Sequence, residues 1–371
     1  MPDIDVDFAD VSRDKVVAYL QQKYGKSRVS HIMTMQTLGA KASLRDIGRI
    51  YGYRKNEVDL LCGSLSDAYP TLRENYKRNL TFRKLVDSDK YYLEFVSLAA
   101  KIEGLPRQSG LHAAGIVLND KPLEDCIPIT DQPSVGYVDQ FEMDHLQEQG
   151  FLKMDLLGLS NLSIIDSCLQ NIEKTLGKRL SYDDIPYDDP ASIALIAEGK
   201  TMGLFQLESE GMNRAIREVK PTTFEDIVAI LALYRPGPMQ NIPAYGRRKA
   251  GHEKVSYLLP EWKPILESTY GIIVYQEQIM QIVRVTAGFS YAQADMFRRA
   301  ISKKDAQKLA SLKPGFIAGC IAHGHTKEIG EQAYDLIERF ADYGFNKSHA
   351  LCYAILSCQM AYLKCHYPLC F

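Results

Sequence analysis

Acidic and apolar side chains alternate between residues 3 and 8. Asp3, Asp5 and Asp7 are separated by single apolar residues, and successive side chains of a strand point to opposite faces. A strand here therefore places three carboxylates on one face. Aspartate is depleted in strands, and like charges on one face repel each other. Because a divalent cation such as Mg²⁺ binds carboxylate oxygens, the pattern predicts either a metal-binding strand or an acidic, solvated edge strand.

The remainder of the first 160 residues mixes strand and helix patterns. Ser12 is placed to cap the first helix. Residues 55–103 are charged and helical with a break at Pro70, which predicts a small satellite subdomain. Helices are predicted at 12–24 and 38–51, and strands at 29–35, 137–141 and 151–155.

From Ser160 onward the apolar positions follow a helical period. A strand-like stretch at 271–275 interrupts this pattern and leads into one of the helices. Helices are predicted at 159–175, 191–198 and 224–234, near Met212, in a segment ending near Ala287, and from about Asn346 through Leu363.

Composition limits the classes of protein that fit. The chain has 371 residues, 46% hydrophobic and 24% charged, with a formal net charge of −2, which is typical of a soluble protein of two or three domains. The near-neutral charge gives no overall sign of nucleic-acid binding, although a large enzyme can confine positive charge to one cleft. Eight scattered cysteines without a paired spacing disfavour a zinc site or disulfide framework and favour a reducing, cytoplasmic setting.

Neither a signal peptide nor a long apolar run is present in the sequence, so no membrane association is expected. The metal-strand pattern begins at residue 2 and the last helical pattern stops just before residue 371. We therefore expect a fragment of a longer chain.

Several polar residues lie where they could meet phosphate or metal. Arg107, Ser109 and His112 precede a buried strand in a stretch of small residues that lets a backbone approach a ligand; the alternative is an ordinary loop leading into that strand. Asp155 ends another apolar strand, with Lys153 on the same face. It is either a third carboxylate brought to the first ones by sheet pairing or a structural residue.

The helical part carries a second group of candidates. Arg235 is presented by a rigid Arg-Pro-Gly-Pro turn. Residues 284–328 hold eight Lys or Arg against three acids, and Asp295 can orient Arg299 toward a phosphate from one helix face shared with Lys303. A solvated charged face is the alternative. The N-terminus of the last helix, with Lys347, Ser348 and His349, suits an anion.

Eight ordered strings carry a resemblance to a known family. They are PDIDVDF, GLHAAGIV, FLKMDLLGL, GLFQLES, ALYRPGPM, YGIIVYQEQIMQI, DMFRRAISKK and YGFNKSHALCYAILSCQMAYLKCHYP. Over essentially all 371 residues the chain resembles the C family of bacterial replicative polymerases, the DNA polymerase III alpha subunits, and the short error-prone type in particular.

The resemblance implies an α+β architecture with a polymerase-beta-like nucleotidyltransferase palm, an inserted helical thumb and a large, mostly helical fingers domain. The implied boundaries are palm at 1–34 and 112–160, thumb at 35–111 and fingers at 161–371. Family members have a PHP domain and a first palm segment before PDIDVDF, so an incomplete mixed sheet and little activity of this stretch alone are expected.

The resemblance also implies site residues. The metal-binding triad corresponds to Asp3, Asp5 and Asp155, with Asp7 in a supporting role and Lys153 as the basic residue beside the triad. The residues that would contact the nucleotide phosphates or DNA are Arg107, Ser109, Gly110, His112, Arg235, Tyr275, Gln278, Arg298, Arg299, Lys303, Asn346, Lys347 and His349.

The implied activity is DNA-templated addition of dNTPs to a primer 3′-hydroxyl with two Mg²⁺ ions, releasing pyrophosphate. The implied partners are primer–template DNA, dNTPs and, in the full-length protein, the sliding clamp and other replisome subunits. Two rival functions remain open from the residues alone. One is another two-metal phosphoryl-transfer enzyme such as a nuclease, and the other is a non-catalytic DNA-binding or assembly module.

Overall fold

The strand and helix patterns of the sequence fall into different parts of the structure. A computed structural model describes residues 4–133, 135–302, 305–341 and 344–371. It divides the chain into two units, Met1–Ser160 and Asn161–Phe371. In the part that it describes, the first unit contains a mixed sheet with helices and the second is built from helices. The expected α+β class is confirmed.

The strands of the first unit form one six-stranded open sheet within the described residues. Its order is β1-β6-β3-β2-β5-β4, with β1 parallel to β6 and β2 parallel to β5, and the other neighbours antiparallel. The strands are β1 (Ile4–Ala9), β2 (Val29–Thr37), β3 (Pro106–Leu118), β4 (Ile129–Gln132), β5 (Gly136–Asp139) and β6 (Leu152–Leu159).

One face of the sheet is covered by α1 (Arg13–Tyr24), which buries Val17 and Leu20 against Ile116 of β3 and Leu156 of β6. Ser12 occupies the N-cap position as predicted, but its side chain makes no capping hydrogen bond. Apolar packing, rather than a hydroxyl cap, therefore anchors this helix.

Between β2 and β3 the chain forms a separate helical cluster with its own core. Leu61, Phe82 and Phe95 are fully buried there, and the break at Pro70 lies in the connection between two of the helices, as predicted. The helices are α2 (Ala40–Ile50), α3 (Lys55–Ser64), α4 (Leu72–Arg78), α5 (Leu80–Asp87) and α6 (Lys90–Ile102), and α7 (Met143–Glu148) precedes β6.

The second unit packs an aromatic core in which Trp262, Phe297, Phe316 and Tyr334 are almost completely buried. Its helices are α8 (Ser160–Leu176), α9 (Pro190–Ala197), α10 (Glu210–Val219), α11 (Phe224–Leu233), α12 (Ile242–Lys249), α13 (Lys263–Leu266), α14 (Gln276–Ala287), α15 (Tyr291–Ser302), α16 (Ala306–Ala322), α17 (Lys327–Ala341) and α18 (Lys347–His366). Among the residues that the structure describes, no helix has the length and apolar character to cross a membrane.

The strand-like reading of 271–275 is wrong. Residues 271–274 are turn and coil, and Tyr275 makes only an isolated bridge to Phe345. Thr269 explains the difference, because its hydroxyl donates to the carbonyl of Ile272 at 2.6 Å and folds the segment back on itself.

Asn75 of α4 holds the connection that precedes this helix. Its side chain is buried, and its Nδ2 donates to the carbonyl oxygens of Tyr69 and Thr71 at 2.7 and 3.2 Å. Its Oδ1 accepts from the Ser66 amide at 2.8 Å. One side chain thus satisfies several backbone groups of a segment that has no regular structure.

We expect Asn75→Asp to destabilise the helical cluster by about 3 kcal/mol, because it replaces a buried donor with an acceptor that faces carbonyl oxygens. Hydrogen–deuterium exchange of α4–α6 in the full-length protein measures this loss. Asn56→Asp, at an exposed position of α3, is the matched control and should leave exchange unchanged. Equal protection in both variants would contradict the role assigned to Asn75.

A buried carboxylate at the end of β5 makes the sheet sensitive to pH. Asp139 is fully buried, and this burial raises its pKa to about 6 even though the Phe141 amide and the Ser30 hydroxyl donate to it at 3.2 and 3.4 Å. Its pKa in an unfolded chain is about 3.9. The folded state therefore binds the proton more tightly, and stability falls as pH rises from about 4 to about 6.

We expect Asp139→Asn to remove this dependence. Relative to wild type, the variant should gain roughly 2–3 kcal/mol in free energy of unfolding between pH 4 and 7, because the charged form is no longer buried. Urea unfolding at several pH values measures the gain, with Asp120→Asn, an exposed position, as the control. A pH-independent difference between Asp139→Asn and wild type would show that Asp139 does not titrate in this range.

Candidate functional site: a carboxylate pair and a basic helix terminus

Strand pairing brings two of the predicted carboxylates side by side. Asp5 of β1 lies directly opposite Asp155 of β6 in the parallel register. Residues in register share a face, and the neighbouring Val6 and Leu156 pack together on the α1 side. Both carboxylates therefore project from the opposite face. Asp7 lies two residues farther along the same strand and is exposed, whereas Asp3 lies outside the described residues.

Asp155 is held in an asymmetric environment. Lys153, almost completely buried, donates to its Oδ2 at 2.7 Å. Its Oδ1 is buried and has no hydrogen-bond partner in the described part of the chain. One oxygen is thus fixed by a cation, while the other keeps its lone pairs for a ligand. Lys153 and Asp155 lie on the same strand face, as predicted.

A large bulge in β3 brings His112 next to Asp155. Met33 of β2 pairs with Leu111 and His31 pairs with Ile116, so the four residues between Leu111 and Ile116 face a single residue of β2. The alternative of an ordinary loop before the buried strand is therefore wrong. The stretch is part of β3, because β2 extends to Thr37 and pairs with it.

The His112 ring folds back over its own strand in this bulge. Its Nδ1 accepts from the Ala114 and Gly115 amides at 3.2 and 2.7 Å and lies 4.0 Å from Asp155 Oδ1. An Nδ1 that accepts from amides carries no proton, so the neutral ring has its N–H at Nε2. The contact with Asp155 is therefore not an ion pair, and Nε2 is left as a donor.

Gly115 makes this arrangement sterically possible. It lies opposite Asp155 on the side away from β1, and a Cβ at this position would lie 2.7 Å from Ile32 Cδ1 and 2.9 Å from His112 Nδ1. A residue with a Cβ at this position would force Ile32 or the His112 ring to move.

The other residues of this stretch that were predicted to contact phosphate lie before His112, nearer the start of β3. Ser109 and Gly110 pair with Met35 and Thr34 of β2. Arg107 is 3.5 Å from Asp46 of α2, which also pairs with Arg49. The structure therefore gives Arg107 an internal carboxylate partner and places Ser109 on an exposed strand end.

A second group of predicted residues meets around the N-terminus of α18. Asn346 caps this helix by accepting from the His349 amide at 3.0 Å. The guanidinium of Arg235 lies 4.1 Å from the Phe345 ring centre, and burial lowers its pKa. The Lys347 ammonium lies 5.5 Å from the Tyr275 ring centre. Arg235 and His349 line one cleft of about 620 Å³.

Gly344, which precedes α18, packs closely against residues of three other helices. A Cβ there would lie 2.8 Å from Ile301 of α15 and 3.1 Å from both Gln276 of α14 and Phe340 of α17. The close approach explains why the chain has a glycine immediately before the capping sequence.

On α15, Asp295 orients two arginines at once. Arg298 Nε and Arg299 Nε each donate to it at 2.7 Å, and these bonds lower the pKa of Asp295. The predicted Asp295–Arg299 pair is confirmed, and Arg298 shares the same carboxylate. Lys303 lies outside the described residues.

Tyr275 and Gln278 are buried. The Gln278 side chain donates from Nε2 to Thr269 Oγ1 at 2.9 Å. Its Oε1 accepts from the backbone amides of Val274 and Tyr275 at 2.8 and 3.0 Å. Gln278 thus caps α14 from inside the unit. Reasoning from the sequence did not identify the neighbouring Glu277, whose carboxylate accepts hydrogen bonds from the Lys347 amide at the N-terminus of α18. An acidic residue in the first turn of a capped helix was the signal in the sequence that could have identified it.

The residues present fit a divalent cation in part. Asp5 and Asp155 offer adjacent carboxylates, and the unpartnered Asp155 Oδ1 is an oxygen that a hard cation would satisfy. Groups of three or more potential ligands do not occur among the described residues.

Two family models match the chain. The bacterial DNA polymerase III alpha NTPase domain covers residues 1–158, and the bacterial DNA polymerase III alpha subunit finger domain covers residues 161–324. Proteins called DNA polymerase III subunit alpha are similar over nearly the whole chain: 46% identical in Bacillus subtilis over 100% of it, 44% in Halalkalibacterium halodurans over 99%, and 45% in Staphylococcus aureus MRSA252 over 99%. The chain spans about a third of their length, 33%, 33% and 34% respectively.

We expect Gly115→Ala to displace His112 and to destabilise the sheet by about 1–3 kcal/mol, because the new methyl overlaps Ile32 and the ring. Hydrogen–deuterium exchange of β3 and β6 in the full-length protein measures the effect. Gly110→Ala on the same strand is the control, since its Cβ would meet only the ends of two rotatable side chains, Thr34 Oγ1 at 3.3 Å and Gln36 Nε2 at 3.5 Å. Similar exchange in both variants would show that the sheet accommodates the methyl group.

Proposed function

Because the chain belongs to the bacterial DNA polymerase III alpha subunit family, we propose that it carries the nucleotidyl-transfer site of a DNA-directed DNA polymerase. In this proposal, the full-length protein adds dNTPs to a primer 3′-hydroxyl on a DNA template and releases pyrophosphate during replication. The observation that carries it is the registered pair Asp5–Asp155, in which the buried Oδ1 of Asp155 has no hydrogen-bond partner among the described residues.

Asp5 and Asp155, with Asp3 from the sequence motif, are the residues that would hold Mg²⁺. When bound, two such ions would activate the primer hydroxyl and neutralise charge on the leaving pyrophosphate. Lys153 orients Asp155 by fixing Oδ2, so the carboxylate cannot rotate away. His112 presents its Nε2–H from the bulge as a donor to an anionic oxygen, which supports a phosphate-contacting role.

Side chains within the helical unit form a second group of proposed phosphate contacts. Arg298 and Arg299, oriented by Asp295, are the proposed donors to the triphosphate, together with Asn346, Lys347, His349 and Lys303. Charge on phosphate oxygens increases in the transition state, so fixed cations stabilise it without proton transfer. Arg235 contacts the Phe345 ring, and the Tyr275 ring contacts Lys347. These contacts support a role for Arg235 and Tyr275 in shaping the surface around the N-terminus of α18.

The palm, thumb and fingers assignments remain proposals: palm at 1–34 and 112–160, thumb at 35–111 and fingers at 161–371. The separate core of α2–α6, inserted between β2 and β3, supports a thumb. The division of the chain after Ser160 supports a fingers domain that begins there. Primer–template DNA, dNTPs, the sliding clamp and other replisome subunits are the proposed partners in the cytoplasm.

In the full-length protein we expect Asp5→Asn and Asp155→Asn each to lower the rate of primer extension by about 10³-fold or more, because each removes a carboxylate ligand from the transition state. The rate is measured in a single-nucleotide incorporation assay with Mg²⁺, in which pyrophosphate release is the readout. Fluorescence anisotropy checks that primer–template binding is retained.

Asp7→Asn is the matched control, since Asp7 lies on the same strand face but two residues beyond the pair. It should stay within about tenfold of wild type. Unchanged extension in Asp5→Asn would mean that β1 is only an acidic edge strand, and the metal assignment would have to be abandoned.

A further inference from the structure

The N-terminus of α18 already has an anion. The amide of Lys347, the first residue of the helix, donates to both carboxylate oxygens of Glu277 at 3.1 and 3.0 Å. Glu277 belongs to the first turn of α14, so one carboxylate serves the N-termini of two helices. Negative charge is favoured at both positions.

The rest of the segment is attached to α14 through its backbone. The Gln276 amide donates to the Phe345 carbonyl at 2.9 Å, and the Gln276 side chain donates to the Gly344 carbonyl at 3.2 Å. These bonds do not involve Glu277. Removing its carboxylate therefore leaves residues 344–346 in place and changes only how the first turn of α18 is held.

The Glu277 contact also determines which groups of α18 can meet a nucleotide. The Lys347 amide donates to Glu277 and the His349 amide donates to Asn346. Neither amide is therefore available to a phosphate, and the side chains of these residues become the candidates for that contact. Those of Lys347 and His349 are on exposed residues. The direction in which they point depends on the orientation of the first turn, which the cap of Asn346 and the carboxylate of Glu277 set together.

We propose that Glu277 is a positioning residue for the incoming nucleotide: it fixes the first turn of α18 so that Lys347 and His349 face the triphosphate. This inference rests on the proposed polymerase function. It assigns Glu277 no contact with the substrate, and its effect is exerted through the Lys347 amide.

The test uses single-nucleotide incorporation by the full-length protein. Glu277→Ala should raise the KM for dNTP about tenfold, the scale of a lost charge-assisted hydrogen bond, with a smaller change in kcat and an unchanged Kd for primer–template. Glu277→Gln keeps an acceptor oxygen and should restore most of the affinity. Exchange of residues 345–351 should rise in Glu277→Ala while the exchange of the other helices stays as in wild type.

Glu328→Ala is the matched control, because Glu328 is an exposed acid at the corresponding second position of α17. It should leave the KM for dNTP at the wild-type value. A lower KM in Glu277→Ala would overturn the inference, since it would mean that the carboxylate competes with the triphosphate for the helix terminus.

An unchanged KM in Glu277→Ala, in a protein that extends primers normally, would overturn this inference alone. Failure of the wild-type protein to extend primers, or full activity of Asp5→Asn, would overturn the proposed polymerase site and this inference with it.

Discussion

Repulsion between two carboxylates in register is the interaction on which the first unit depends. The parallel pairing of β1 with β6 places Asp5 opposite Asp155, an arrangement that like charges disfavour. The fold accepts it because Lys153 holds one oxygen of Asp155, while α1 buries the apolar residues of the other face. The sheet thus uses hydrophobic burial to impose a register that electrostatics alone would reject. The consequence is one buried oxygen, Asp155 Oδ1, without a hydrogen-bond partner in the described part of the chain.

The helical unit solves the opposite problem, that of holding cations in a fixed direction. Asp295 accepts hydrogen bonds from the Nε atoms of both Arg298 and Arg299, so one carboxylate fixes two guanidinium groups. In the sheet a cation orients a carboxylate, and on α15 a carboxylate orients cations. Within each unit, a single residue thus orients side chains of the opposite charge.

Local periodicity was enough to predict part of this. The alternation around Asp5 and the apolar run before Asp155 identified both strands and the faces that carry the carboxylates. Period two does not reveal which strand lies next to which, so the position of Gly115 opposite Asp155 and the bulge that brings in His112 could not be inferred. The first depends on the pairing of β3 with β6, and the second on the pairing of β3 with β2, from which the inserted helical cluster separates it in sequence.

The terminus of α18 shows that a correct local rule does not identify every partner of a site. A helix N-terminus with Lys347 and His349 does attract an anion, as its sequence indicates, but Glu277 of another helix already supplies one. The preference of a helix N-terminus for negative charge determines the charge of the partner but not which group supplies it. An internal carboxylate has no translational entropy left to lose, so the fold can fill such a site before any ligand arrives. In the proposed function, the side chains of Lys347 and His349 then make the phosphate contacts, and the filled terminus sets their direction.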